Sequence, residues 1–196
     1  MAYLKNTYKV MAGLAFEQAS AIQGDDKIRE QALYNYALVI HETSYSPFAE
    51  SVNVMERFLN EYPKSKYADN VNSYLIDVYM NTTSYDAALA SIAKINNPGQ
   101  SILEAKQQLL YKKAMDLYAN SNFADAATLF GSAIEYMDLN RQLATDAYFW
   151  RAESNYRTGN VSRAESDYQR YISLTPAKNT RNYRLSQYGL GYINYN

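Results

Sequence analysis

The sequence contains no cysteine, a single histidine, 7 glycines and 4 prolines in 196 residues. Without cysteine, this chain can form neither disulfides nor thiolate metal sites. His41 is the only histidine, so a histidine-based metal site would lack its partner histidines. A catalytic triad built on His41 would likewise lack the partner residues that it needs. Because glycine and proline are so few, the sequence favours long helices joined by short connections.

The chain also lacks an excess of positive charge, with 19 Lys and Arg against 20 Asp and Glu. We therefore expect neither nucleic acid nor an anionic membrane surface as a partner. No run of about 18 apolar residues is present, so no membrane insertion is expected in this segment. The first residues, MAYLKNTYK, do not form a signal peptide. Together with the uncapped helical pattern of the last residues, LSQYGLGYINYN, they suggest a piece of a longer protein.

Tyrosine is the residue in excess, at 21 against 6 Phe and 1 Trp. Its side chain joins a large apolar ring to a polar tip, which suits half-buried helix interfaces and also binding grooves. Both roles stay open for any single tyrosine. A row of tyrosines on one face would favour the groove.

One helical stripe recurs along the chain and is clearest at Ala126, Phe130 and Ala133, where a small residue is followed by an aromatic and then by another small residue. Its first position falls at residues 12, 51, 88, 126 and 164, at intervals of 39, 37, 38 and 38. A period of two helices predicts a solenoid in which each hairpin packs on its neighbours. We therefore expect the stripe to be a stacking surface and not a ligand site.

The periodicity predicts an all-α fold of about ten helices and a single array over residues 1–196. Pro47, Pro63, Pro98 and Pro176 interrupt or end the helical patterns, and residues 44–47 form a predicted loop. The predicted units are a partial one at 1–24, complete ones at 25–65, 66–99, 100–140 and 141–178, and a second partial one at 179–196.

The segment RAESNYRTGNVSRAESDYQRYISLTP, residues 151–176, resembles the tetratricopeptide repeat in its small, turn, aromatic, apolar and proline positions. The preceding unit fits at most positions, with Ser121 where that family has glycine, and the unit around Ser51 fits less well. The resemblance implies a right-handed αα superhelix that binds proteins in a concave groove lined by the first helix of each pair. The matching residues are Ala114, Phe123, Ala126, Phe130, Ala133, Ala152, Gly159, Ala164, Tyr168, Leu174 and Pro176.

A second likeness lies in FLNEYPKSKYADNVNSYLIDVY, residues 58–79, which resembles bacterial envelope members of the same family. This resemblance implies a periplasmic or outer-membrane-associated location and a role in envelope assembly.

The resemblance also implies which residues line the groove, and these would bind a protein or peptide partner. The clamp of Lys and Asn with which some such domains hold a C-terminal carboxylate is missing. The groove positions are Tyr34, His41, Ser73, Asp77, Met80, Tyr111, Met115, Tyr118, Phe149, Glu153, Tyr156, Arg157, Tyr188, Tyr192 and Tyr195.

No catalytic, cofactor or metal site is predicted, and we expect a non-catalytic protein. The adjacent Asp25 and Asp26 are explained by capping of the next helix. Two other functions stay open. The array could be a structural spacer with an empty groove, or the regulatory arm of a larger protein whose catalytic part lies outside this sequence. The sequence leaves the oligomeric state undetermined.

Overall fold

The computed structural model describes the backbone of residues 2–43 and 48–195, and the side chains of residues 8–43 and 50–195. Ten α-helices fill these ranges, which contain no strand, so the predicted all-α solenoid of about ten helices is confirmed. The predicted loop at residues 44–47 lies outside the described residues. The helices are α1 (Ala2–Ala21), α2 (Asp26–Thr43), α3 (Phe48–Glu61), α4 (Ala68–Asn81), α5 (Tyr85–Ile92), α6 (Gln100–Ala119), α7 (Phe123–Ile134), α8 (Arg141–Arg157), α9 (Val161–Leu174) and α10 (Arg181–Tyr195).

Short connections between the helices follow the turn chemistry of the sequence. The Asp25 carboxylate accepts from the Lys27 amide at 2.8 Å, and the Asn140 side chain accepts from the Leu143 amide at 3.0 Å at the start of α8. Between α8 and α9, Gly159 has φ of 78°. One repeat earlier, Ser121 occupies the same left-handed region with φ of 61°, at the position where a glycine avoids strain.

The helices form two compact units, Met1–Ile102 and Leu103–Asn196. In the first unit, α2, α3 and α4 bury an apolar core that includes Leu33, Met55, Phe58 and Leu75. α1 packs on α2, where Gly13 lies against Val39. Consecutive helices therefore bury each other's apolar faces within this unit.

In the second unit, Ala126, Phe130 and Ala133 of α7 are each 0% exposed. The predicted stacking role of this stripe is confirmed. A core cluster then joins α8, α9 and α10 through Phe149, Ala152, Ala164, Tyr168, Tyr171 and Tyr183.

Polar groups within the second unit fix its helices in register. The buried Gln107 side chain donates to the carbonyl oxygens of Ala133 and Asn140, each at 3.1 Å, and so binds the end of α7. Arg151 of α8 makes a bidentate ion pair with Asp167 of α9, at 2.8 and 2.7 Å. Burial lowers the Arg151 pKa, but the hydrogen bond and charge of Asp167 more than offset this and raise it overall.

Candidate functional site

In the second unit, the predicted groove residues lie on α6, α8 and α10, and part of the set is brought together. The Tyr118 ring of α6 meets the Trp150 ring of α8 edge-on, with centroids 5.0 Å apart. It also meets Phe123, at the start of α7, at 5.2 Å. Tyr118 remains half-exposed in this position. Tyr118 and Trp150 thus form an aromatic surface that is partly exposed to solvent.

Glu153 of α8 lies close to Tyr118 and to Tyr168 of α9. Its Oε1 accepts from the Tyr168 hydroxyl of α9 at 2.5 Å, and its charge also acts on the nearby Tyr118 phenol. Burial, and next the hydrogen bond to Glu153, raise the Tyr168 pKa above its ordinary value. Burial and the Glu153 charge likewise raise the Tyr118 pKa, while the charge of Arg157 lowers it. Burial and the carboxylate therefore favour the neutral form of both phenols.

The last turn of α8 extends this surface towards α10. The Tyr156 ring meets the Tyr192 ring edge-on at 6.3 Å. The guanidinium of Arg157 lies 5.8 Å from the centre of the Phe123 ring. Both Arg157 and Tyr192 are exposed. We refer to the surface formed by Tyr118, Trp150, Glu153, Tyr156, Arg157 and Tyr192 as the tyrosine face.

Phe149 corrects the predicted groove, because the structure places this side chain in the core. It is 1% exposed and packs against Tyr171 at 5.5 Å and Tyr168 at 6.3 Å. Its neighbour Trp150 lies half-buried on the tyrosine face instead. Phe149 and Trp150 are adjacent residues at the edge of the apolar stripe of α8. Phe149 is the one that turns into the core, because it packs against the Tyr168 and Tyr171 rings of α9.

The other predicted residues of this unit lie around the tyrosine face. Tyr111 is half-buried and meets the Phe130 ring at 5.6 Å. Burial is the main cause that raises the pKa of Tyr111 to about 12. Met115 is half-buried on α6. Tyr188 and Tyr195 of α10 are 73% and 90% exposed.

Sequence reasoning missed Trp150, Phe123 and the Tyr168 hydroxyl as members of this site. Trp150 is the only tryptophan in the chain, and that rarity was a usable signal. The role of Tyr168 had no such signal, because its aromatic ring already satisfies the stacking stripe. Only the structure shows that its hydroxyl reaches Glu153.

In the first unit, the two predicted residues of α2 each stack on a tyrosine at the start of α4 or within it. The Tyr34 ring stacks on Tyr67 with centroids 4.1 Å apart, and Asn70 donates to the Tyr34 hydroxyl at 3.3 Å. The His41 ring stacks on Tyr74 at 4.3 Å.

Three further predicted residues lie along α4. The Asp77 carboxylate lies 4.0 Å from the Nε2 atom of His41. Ser73 is exposed and donates to the carbonyl of Asp69 at 3.0 Å, within its own helix, and Met80 is half-buried. Tyr67 and Tyr74, which sequence reasoning did not select, supply the stacking partners in this unit.

A separate polar cavity of about 590 Å³ opens between α7, α8 and α9. Its floor is the ion pair of Arg151 with Asp167, and Ala127, Thr128 and Gly131 line one wall. The opposite charges at the floor satisfy each other. The cavity therefore presents no unpaired buried charge to a ligand.

Within the part of the chain that the structure describes, no group of three His, Asp or Glu side chains is placed to hold a metal ion. No helix among those residues is long and apolar enough to cross a membrane.

Comparisons with known proteins agree with the repeat pattern over part of the chain. Residues 111–179 match the family model described as tetratricopeptide repeat. The match runs from the second half of α6 past the end of α9 and includes most of the tyrosine face. Repeats of this kind stack into solenoids whose extended concave surfaces bind other molecules.

One similar solved structure is that of Bacillus thuringiensis PlcR in complex with the peptide PapR7 and DNA. It is 11% identical over 94% of this chain and 72% of that chain, with a TM-score of 0.36, and a likeness at that level carries no argument about function. No curated protein matches the chain. The bacterial envelope resemblance of residues 58–79 finds no support among these comparisons. Residues 111–179 are thus similar to tetratricopeptide repeats, as their residue pattern predicts.

Proposed function

We propose that the tyrosine face binds a segment of a partner protein and that the role of the chain is non-catalytic. The observation that carries this proposal is that the Tyr118 ring packs against the Trp150 ring near the Glu153 carboxylate, with Tyr156 about one helical turn further along α8. Aromatic side chains dominate binding energy at protein interfaces because each buries a large area at low entropic cost.

The contacts within the tyrosine face support this role because they order its rings in the absence of a partner. Tyr118 contacts the Phe123 and Trp150 rings, and Tyr192 contacts the Tyr156 ring. A surface with side chains already ordered pays less entropy on binding. Glu153 and Arg157 add one charge of each sign, which suits a segment that carries both apolar anchors and polar groups.

A second set of residues extends the proposal to the first unit. Tyr34 of α2 stacks on Tyr67, just before α4, and His41 of α2 stacks on Tyr74 of α4, near the Asp77 carboxylate. They repeat the chemistry of the tyrosine face, with aromatic rings next to a carboxylate. We propose that they contact a protein segment as well.

The proposal is tested by site-specific crosslinking in cells. Benzoylphenylalanine replaces Arg157 or Tyr192, both exposed on the tyrosine face, and in the control it replaces Arg163, which is exposed at the cavity between α7 and α9. We expect one protein to be captured from both face positions and not from the control. Crosslinks that form only at Arg163 would show that the tyrosine face is not the binding surface.

The captured partner then allows a direct measurement with purified proteins. Replacing Tyr156 by Ala removes a half-exposed ring and should weaken binding by about tenfold or more, which is typical of an aromatic anchor. Replacing the exposed Arg163 by Ala should leave the affinity unchanged. Equal affinities of both variants and the wild type would contradict the proposal.

Two alternatives correspond to definite outcomes. A structural spacer would yield no captured protein from any position on α6, α8 or α10. A regulatory arm would be indicated by a catalytic domain elsewhere in the full gene product. A role in bacterial envelope assembly rests only on the resemblance of residues 58–79 and stays a prediction.

A further inference from the structure

The polar cavity between α7, α8 and α9 has a floor that the repeat pattern does not require. The stripe of the repeat recurs after 38 residues between α7 and α9. At that offset, Asn155 and Asp167, which are 5% and 6% exposed, stand where the preceding hairpin has Leu117 and Leu129. A hairpin of this repeat can therefore be built with apolar side chains at both places, and packing alone does not call for a buried polar pair.

Arg151 keeps hydrogen-bond donors that its ion pair with Asp167 leaves free. The pair uses one hydrogen on Nε and one on Nη2. Both hydrogens of Nη1 and the second one of Nη2 remain, and Nη1 donates to no residue in the described part of the chain. Nη1 lies at the cavity wall, 3.4 Å from the place where a Cβ on Gly131 would stand. With such a free edge, a guanidinium binds two oxygens of one phosphate or carboxylate.

Two further features add positive potential at the rim of the cavity. Arg163 of α9 is exposed and forms no ion pair within residues 8–43 and 50–195. The positive end of the α9 dipole also lies there, and Asn160 does not cap it, because its side chain donates to the Thr158 hydroxyl at 3.0 Å instead. Asp167 is the one carboxylate among the lining residues that the structure describes, and Arg151 neutralises it. The cavity therefore favours an anion.

The size and the neutral side chains of the cavity favour a small organic molecule over a bare ion. Its volume of about 590 Å³ lies within the range of small-molecule sites. The buried Asn155 side chain donates to Asp167 at 3.5 Å, while its Oδ1 atom accepts no hydrogen bond from a described residue. Thr128 and Ser166 add hydroxyl groups, and the described lining contains no aromatic ring for a flat ligand to stack on. This set of groups suits the hydroxyls of a sugar or polyol.

We propose that the cavity binds a small organic phosphate, namely a phosphorylated sugar or polyol. The phosphate group contacts the free edge of Arg151 and the guanidinium of Arg163. The hydroxyl groups of the ligand contact Asn155, Thr128 and Ser166. None of these five residues belongs to the tyrosine face, so this site is separate from the proposed protein-binding surface and does not depend on it.

NMR titration of the ¹⁵N-labelled chain tests the proposal. The probes are glucose-6-phosphate, ribose-5-phosphate and glycerol-3-phosphate, and succinate at equal ionic strength is the control for general attraction of anions. We expect at least one of the phosphates to cause saturable shifts of the Gly131, Asn155 and Arg163 amides, while the Tyr118 amide stays in place. Succinate should cause no comparable shifts. No saturable shift with any of the three phosphates would overturn the proposal, and so would equally strong binding of succinate.

Three variants locate the binding. Arg163→Glu reverses a charge at the rim without touching the core, and we expect it to weaken binding by about tenfold or more. Asn155→Leu restores the residue type of Leu117 in the preceding hairpin and should weaken binding by roughly threefold or more. The control is Arg170→Glu, which makes the same charge change at an exposed position further along α9, outside the cavity lining, and should leave binding unchanged.

Circular dichroism checks that each variant keeps its helical content. If Arg163→Glu and Arg170→Glu bound the phosphate with equal affinity, the ligand would lie elsewhere and the assignment of the cavity would be wrong.

Discussion

The same substitution at two glycines of α10 should have opposite effects on stability. A Cβ built at Gly189 lies 3.0 Å from Cε2 and 3.2 Å from Cζ of Tyr168. At Gly191, two residues further along, no atom lies within 4 Å. We predict that Gly191→Ala stabilises the second unit and that Gly189→Ala destabilises it.

The magnitudes follow from two terms. Replacing a glycine by alanine inside a helix gains about 0.5–1 kcal/mol at either position. At Gly189 the Tyr168 ring must move, yet it is 1% exposed and its hydroxyl is held by Glu153 at 2.5 Å. Overpacking of this kind costs about 1–3 kcal/mol. The net loss is then roughly 0–2.5 kcal/mol for Gly189→Ala, against a gain of up to about 1 kcal/mol for Gly191→Ala.

Urea unfolding followed by circular dichroism measures both changes. For a unit of this size, each kcal/mol corresponds to about 4–8 °C in melting temperature, so thermal melts of the two variants should differ by at least about 5 °C. A double-mutant cycle with Tyr168→Leu isolates the contact, because the Gly189→Ala penalty should shrink when the ring is absent. If Gly189→Ala were as stabilising as Gly191→Ala, the close packing of α10 on α9 would be refuted.

Two further changes test local features of the second unit. Ser121→Gly should stabilise the protein by roughly 0.5–1 kcal/mol in urea unfolding, because Ser121 has φ of 61° and glycine adopts this conformation without strain. Ser121→Ala, which keeps the strain, should show no such gain. Burial raises the Asp146 pKa above its ordinary value, and the hydrogen bond from the Gln142 amide offsets only part of this rise. The stability that Asp146 contributes is therefore full below pH 3.8 and is lost as the pH rises through the raised pKa. The stability of Asp146→Asn relative to wild type should therefore increase between pH 3 and pH 7, and a constant difference would contradict the assigned burial effect.

The fold could be predicted from the sequence because small and aromatic residues recur at nearly constant intervals along the chain. Ala126, Phe130 and Ala133 have to lie on one side of a helix, and small residues one period apart allow neighbouring helices to approach closely. The structure places all three at 0% exposure. Helix number and hairpin order follow from this period and from the turn residues, and both are local signals. The predicted single array with its unit boundaries stays a prediction.

The candidate site could be predicted less well, because helical periodicity fixes a face only to within about one residue. Phe149 and Trp150 are adjacent aromatic residues at the edge of the apolar stripe of α8. The helical pattern alone does not determine which of the two side chains turns outward. Phe149 turns inward because Tyr168 and Tyr171 of α9 pack against it. That choice depends on the shapes of side chains from another helix, which no local pattern contains.

The position of Tyr168 also connects the stacking surface with the proposed binding surface, although the sequence assigns the two to different helices. Its ring fills the core between α8, α9 and α10, and Gly189 leaves just enough space for it. Because the ring is tightly packed, its hydroxyl holds Glu153 in place, and the Glu153 carboxylate lies close to Tyr118. The order of the tyrosine face therefore depends on core packing one helix away. A change that loosens the stacking of α10 on α9 should disorder the rings that we propose to bind a partner, even though it touches none of them.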